Sequence, residues 1–129
     1  MSNFFTRDDF SDLIEIAPGV RTRVLTRGNL MFSLVELDNG AVSAIHSHPE
    51  VQMGLVLEGA FERRQGDEVQ LLREGDGFYV PPDVPHGGTA VGGRCRILDV
   101  FSPPRDRYVK ESHVKAVFVQ KLTVTTKSD

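Results

Sequence analysis

Three imidazoles and one carboxamide are spaced in this chain as ligands to a single ion would be. His46, His48 and Gln52 fall within His46-Ser47-His48-Pro49-Glu50-Val51-Gln52, and His86 closes Pro81-Pro82-Asp83-Val84-Pro85-His86. Residues two apart on an extended segment project to one face, so His46 and His48 can reach the same ion. Pro49 and Glu50 put a bend before Gln52, so parity alone does not place it, and His86 must arrive from another strand. Mixed nitrogen and oxygen donors suit one divalent transition metal (Fe, Mn, Ni, Co or Zn) without choosing among them. All four donors are neutral, so a dication keeps its charge on the site. Such a centre attracts an anionic substrate, or stabilises an enolate or alkoxide formed during reaction. A single His-Ser-His-Pro is more often a surface loop; two such spaced stretches together favour the metal.

A carboxylate accompanies the quartet. In Arg94-Cys95-Arg96-Ile97-Leu98-Asp99-Val100-Phe101, one face carries the two arginines and the other carries Cys95, Ile97, Asp99 and Phe101. The arginines mark the outward face, so Asp99 is expected inside. A buried carboxylate is costly and needs a partner or a task. The alternatives are a place at the strand's exposed end or a pairing with an interior arginine. Arg21 and Arg23 share one face of an earlier strand; solvated outward charge is the commoner fate, and Arg23 is the one expected to reach substrate at the barrel mouth. Arg63 and Arg64 straddle two faces, so at most one points inward. His113 is expected on the surface, and Cys95, Met53, Phe78 and Tyr79 in the interior.

The elements that must hold these groups are extended. Short runs at 20–26, 30–37, 41–46, 51–58, 60–65, 68–72, 77–80, 86–91, 94–101 and 114–125 are separated by turn signals such as Asp38-Asn39-Gly40 and Gly92-Gly93. Glycines there supply the positive φ that tight hairpins need. Many short strands with regular punctuation favour an all-β sandwich or barrel. Residues 4 to 14 are expected to form a short amphipathic turn or helix, or to lay Phe4 and Phe5 over one end of the barrel.

The chain has 129 residues, 40% hydrophobic, with a formal charge of −3, which fits one domain with its own core and argues against a nucleic-acid partner. One cysteine excludes an intrachain disulfide. No apolar run approaches the roughly 18 to 20 residues that span a bilayer, and the first ten residues lack a signal-peptide core. The expectation is a cytoplasmic protein with no membrane or nucleic-acid partner.

The two histidine stretches resemble the paired motifs of the cupin superfamily, in its small single-domain form. Residues 40–59 fit the first motif except that Gln52 stands where Glu is usual. Residues 75–90 match the second at Gly75, Pro81 and His86, but carry Asp83 where Gly is usual and Ala90 where Asn is usual. The resemblance implies an all-β double-stranded β-helix, a jelly-roll barrel, as a single domain. Residues 1–19 would cover the barrel, 20–105 would form it, and 106–129 would extend it as an extra strand or a homodimer contact.

Asp99-Val100-Phe101-Ser102-Pro103-Pro104-Arg105 resembles the same segment of the KdgF-type cupins, which open unsaturated uronate rings. That resemblance implies His46, His48, Gln52 and His86 as metal ligands, Asp99 and Arg105 as acting residues, and Phe101 against the sugar ring. Asp99 would move a proton, and Arg105 would clamp a carboxylate in a forked ion pair. The reaction would convert a 4,5-unsaturated monouronate from its cyclic hemiacetal to the linear ketone. Two other functions suit the same site: a cupin dioxygenase, which an anaerobic assay separates, and a non-catalytic small-ligand or metal-binding protein.

Overall fold

The computed structural model describes residues 2–110. Ten strands run in chain order: β1 Ile14–Ala17, β2 Val20–Arg27, β3 Leu30–Leu37, β4 Val42–His46, β5 Val51–Glu58, β6 Ala60–Gln65, β7 Glu68–Arg73, β8 Gly77–Val80, β9 His86–Ala90 and β10 Cys95–Ser102. They form a six-stranded sheet, β1-β2-β3-β10-β5-β8, and a four-stranded sheet, β4-β9-β6-β7, with every pairing antiparallel. This is the expected all-β barrel, built from two antiparallel sheets. Nine of the expected strands are present within a residue of their expected ends; the tenth, at 114–125, lies outside the described residues, as does His113.

Alternation decides what each strand sends inward. Every second residue of β10 is buried: Cys95, Ile97, Asp99 and Phe101. Val20, Val35, Leu37, Val56, Cys95 and Ile97 of the larger sheet meet Phe61, Leu72 and Ala90 of the smaller in one apolar cluster. A second cluster joins Ile14, Val24, Met31, Phe101 and Tyr108. Burying an aromatic such as Phe101 stabilises by roughly 1.5–3 kcal/mol. Between the clusters the interior turns polar. Thr22 and Ser33 satisfy each other at 2.6 Å, and Asp99 pairs in register with Ser33 on one side and Gly54 on the other. The two apolar clusters thus frame a polar layer.

Three expectations are corrected. Met53 and Tyr79 are 61% and 54% exposed, not interior, because Gln52, Gly54 and Val56 take the inward positions of β5 and Met53 pairs with Tyr79 on the outside. Phe4 is exposed and Phe5 packs edge-on against Phe32, on the outer side of β3, so these rings do not close the barrel's end. What the first nineteen residues add is β1 and one 3-10 turn, Arg7–Asp9, capped by Thr6. Cys95 is fully buried as expected, and burial pushes its thiol up to about 11. Among the described residues no helix is long and apolar enough to cross a membrane.

Candidate metal centre

β4 delivers His46 at its end, and β9 begins with His86 directly opposite in register. His48 lies just beyond β4. Its carbonyl accepts the Asp83 backbone N–H at 2.8 Å, which ties the first histidine stretch to the turn before His86. Asp83 makes that turn with φ +67°, a conformation in which aspartate is one of the better-tolerated side chains. The substitution at the family's glycine position therefore keeps the turn.

Each imidazole is oriented by its own backbone. Nδ1 of His46 donates to Ala44 O at 2.8 Å, that of His48 to Glu50 O at 3.0 Å, and that of His86 to Val84 O at 2.8 Å. A carbonyl only accepts, so the proton sits on Nδ1 and the Nε2 lone pair is left for a ligand. Burial favours the neutral form of the two more deeply buried rings. It lowers His86 to about 3, and it lowers His48 with help from the Arg105 charge. One donor atom from each of the three rings lies within 4.8 Å of the others. Metal–nitrogen bonds are about 2.0–2.1 Å, so a small inward closure brings all three onto one ion.

Two observations show that a cation fits here. Nε2 of His86 is buried and has no hydrogen-bond partner. Nε2 of His48 faces Oε1 of Gln52 at 3.0 Å, lone pair to lone pair. Such contacts are costly unless a positive centre lies against them. Gln52 is buried, and it also hydrogen-bonds Asp99. Its amide donates to the carboxylate while its oxygen turns toward the histidines. A glutamate would offer no such donor and would repel Asp99. The buried Glu50 carboxylate stands 3.4 Å from Nδ1 of His48, behind the ring.

Asp99 is inward and buried, with Oδ1 unpartnered. Burial raises its carboxyl to about 6, against the Gln52 hydrogen bond and the charges of Arg63 and Arg105. An acid near neutrality can both take and return a proton. Gly54 makes room for it: a Cβ there would stand 2.1 Å from Cζ of Phe78 and 2.6 Å from Oδ1 of Asp99. Phe101 meets His48 edge-on at 5.6 Å. Arg105 is buried, donates to the Tyr108 hydroxyl at 3.3 Å, and has its guanidinium carbon 4.8 Å from that ring.

A cavity of about 180 Å³ is lined by His46, Gln52, His86, Asp99, Phe101 and Arg105, with His48 behind Gln52. Arg23 is not brought there. It is exposed on the outer face of β2, between the buried Thr22 and Val24, and reaches Ser11 O at 3.3 Å. Among the other lining residues, Arg63, Phe78 and Tyr108 were not expected at the site. The signal for Arg63 was parity with the apolar Phe61 two residues before it.

Comparison with known proteins identifies the family of this fold. The cupin domain family matches residues 33–101. The pectin degradation protein KdgF of Dickeya dadantii is 28% identical over 100 residues, 76% of this chain and 91% of that protein. The solved structure of KdgF from Halomonas sp. superposes with a TM-score of 0.74 at 33% identity, over 82% of this chain and 97% of that one. Bacillus subtilis oxalate decarboxylase, described with Mn(II) centres, superposes with a TM-score of 0.68 at 26% identity, over 77% of this chain and 29% of that one.

Proposed function

The chain belongs to the cupin family and resembles its KdgF members, and from that premise we propose that it is a metal-dependent enzyme that opens the ring of a 4,5-unsaturated monouronate. His46, His48, Gln52 and His86 would hold one divalent ion. When bound, the ion supplies positive charge that polarises substrate oxygens.

The chain's own residues do the rest. Arg105 holds the substrate carboxylate with paired N–H donors. Phe101 packs against the sugar ring and keeps water from it. Asp99 takes the proton of the hemiacetal hydroxyl. A carbonyl forms at that carbon as the ring C–O bond breaks, with its electron pair going to the ring oxygen. The resulting enolate takes a proton on carbon, which gives the linear ketone. Atoms and charge balance, and no oxidant is used. The observation that carries the reading is the unpartnered Oδ1 of a buried Asp99 in the cavity that the histidines line.

The test is Asp99→Asn, loaded with the same metal content as wild type and supplied with the authentic unsaturated monouronate. Loss of about a hundredfold or more in turnover is expected for a lost proton-transfer group. Full activity would rule Asp99 out as the proton carrier.

A cytoplasmic homodimer goes with this reading. Tyr79, Met53, Val100 and Phe32 form one row on the outer face of the six-stranded sheet, and Leu55, Leu98 and Leu34 form the next. Contiguous apolar surface of this kind commonly marks an interface. Light scattering of the full chain tests the assembly.

A further inference from the structure

Arg63 has no part in the mechanism above, yet it is one of the most constrained charges in the molecule. It is only 7% exposed, lines the metal cavity, and holds its guanidinium carbon 3.7 Å from the centroid of the Phe78 ring. Its hydrogen bonds among the described residues run from Nε and Nη2 to Gln65 Oε1, both at 3.4 Å, the weak end of the range. No hydrogen bond runs from Nη1 among the described residues, and no Arg63 nitrogen is a fully enclosed orphan. No ion pair among the described residues joins Arg63 to Asp99. Guanidinium carries five donors and keeps its charge; the Asp99 carboxylate acts on it through space without an ion pair, so donors remain for a ligand in the cavity. A second anion, standing in the cavity that both Arg63 and Asp99 line, can take those donors.

The cavity thus has two guanidinium groups. Arg105 lies near Phe101 and Tyr108, and Arg63 lies over Phe78. One carboxylate needs one of them. We propose that Arg63 binds the second negative oxygen that a small acid acquires when the carbon beside its carboxylate becomes an enolate. The ligand class is the dianionic enolate of a 2-oxo acid. This rests on the reading of the cavity as one that takes a small acid, and it names Arg63 as a binding residue for that acid's charged form.

The experiment uses two small probes on the metal-loaded full chain. Oxalate is a stable dianion with the shape of such an enolate beside its carboxylate. Oxamate has nearly the same shape and one charge fewer. Calorimetry gives both affinities, with metal content checked before and after. Arg63→Gln removes the charge; Arg63→Met does so while keeping a stem to pack along Phe78; Arg63→Lys keeps the charge. The oxalate-to-oxamate affinity ratio is expected to fall about tenfold or more in the Gln and Met variants, the scale of a lost charge-assisted bond. Oxamate should change little, and Lys should recover part of the ratio. An unchanged ratio in a folded, loaded Gln or Met variant overturns the proposal. So does an equal loss for both probes, which would make Arg63 a packing residue. The uronate assay is independent. A wild type that leaves the uronate unopened, yet shows the Arg63-dependent ratio, supports Arg63 while sinking the uronate reading.

Discussion

Removing the charge of Asp99 should make the metal-free protein more stable while it ends turnover. Burial lifts this carboxyl from 3.8 to about 6 in the folded chain. A raised carboxylate pKa means that the folded state disfavours the ionised form. Below the unfolded pKa both states are protonated and nothing is lost; as pH rises through about 6 the full cost is reached. A shift of about two units corresponds to roughly 3 kcal/mol at pH 7.5. Asp99→Asn carries no charge to desolvate, so it should exceed wild type by up to about 3 kcal/mol at pH 7.5 and by only about 1 kcal/mol at pH 4.5. For a domain of this size the neutral-pH gain amounts to a melting-temperature rise on the order of 10 °C. The assay is urea unfolding of chelator-treated wild type and variant at both pH values. His86 and His48 titrate in both proteins, so their contribution cancels in the difference. A variant less stable than wild type at pH 7.5, or a gap that does not shrink in acid, would refute the account of Asp99 as a buried, strained carboxylate.

Three further outcomes follow from single positions. Gly54→Ala places a methyl 2.1 Å from Cζ of Phe78 and 2.6 Å from Oδ1 of Asp99; it should cost about 1–3 kcal/mol in urea unfolding and most of the turnover. His86→Ala should weaken metal affinity by well over tenfold in a competitive chelator titration, since even indirect partners of a metal ligand are worth about 10–100-fold. Because burial lowers His86 to about 3, wild-type apoprotein should lose stability as pH falls below about 6.5, and the Ala variant should lose less. Asp83→Gly should be neutral or stabilising by up to about 1 kcal/mol, whereas Asp83→Val at φ +67° should destabilise by about 1–2 kcal/mol. The Val variant should also weaken metal binding through the Asp83–His48 backbone bond.

Much of this was legible before any fold was known, and for local reasons. Period-two burial and glycine-bearing turns locate strands without reference to distant partners, and the outward arginines of 94–96 set the phase that sends Asp99 inside. Where alternation carries no polarity contrast, the phase is hidden. Val51-Gln52-Met53-Gly54-Leu55-Val56 is apolar on both faces, so Met53 and Tyr79 read as core although they stand outside. Only the inward Gln52 reveals that phase. Arg63-Arg64 gives no contrast by itself; only the apolar Phe61 two residues earlier marks Arg63 as the buried one. β1 was too short to stand out before the Pro18-Gly19 turn, and its pairing with β2 is a tertiary fact. Tyr108 follows the last strand and reaches the site by packing on Phe101, which no periodicity could announce.

The central claim is that a metal-bearing cavity, with Asp99 as its proton carrier, opens the ring of an unsaturated uronate without oxygen. Its most direct test is the authentic 4,5-unsaturated monouronate under strict anaerobiosis, with the loaded protein and the same protein stripped by chelator. The decay of the conjugated double bond's ultraviolet absorbance gives the rate, and NMR identifies the product. The account predicts rapid conversion to the linear ketone with metal, near-spontaneous rates without it, and full activity in the absence of dioxygen. Ring opening no faster than the spontaneous reaction, or a requirement for dioxygen, would contradict it.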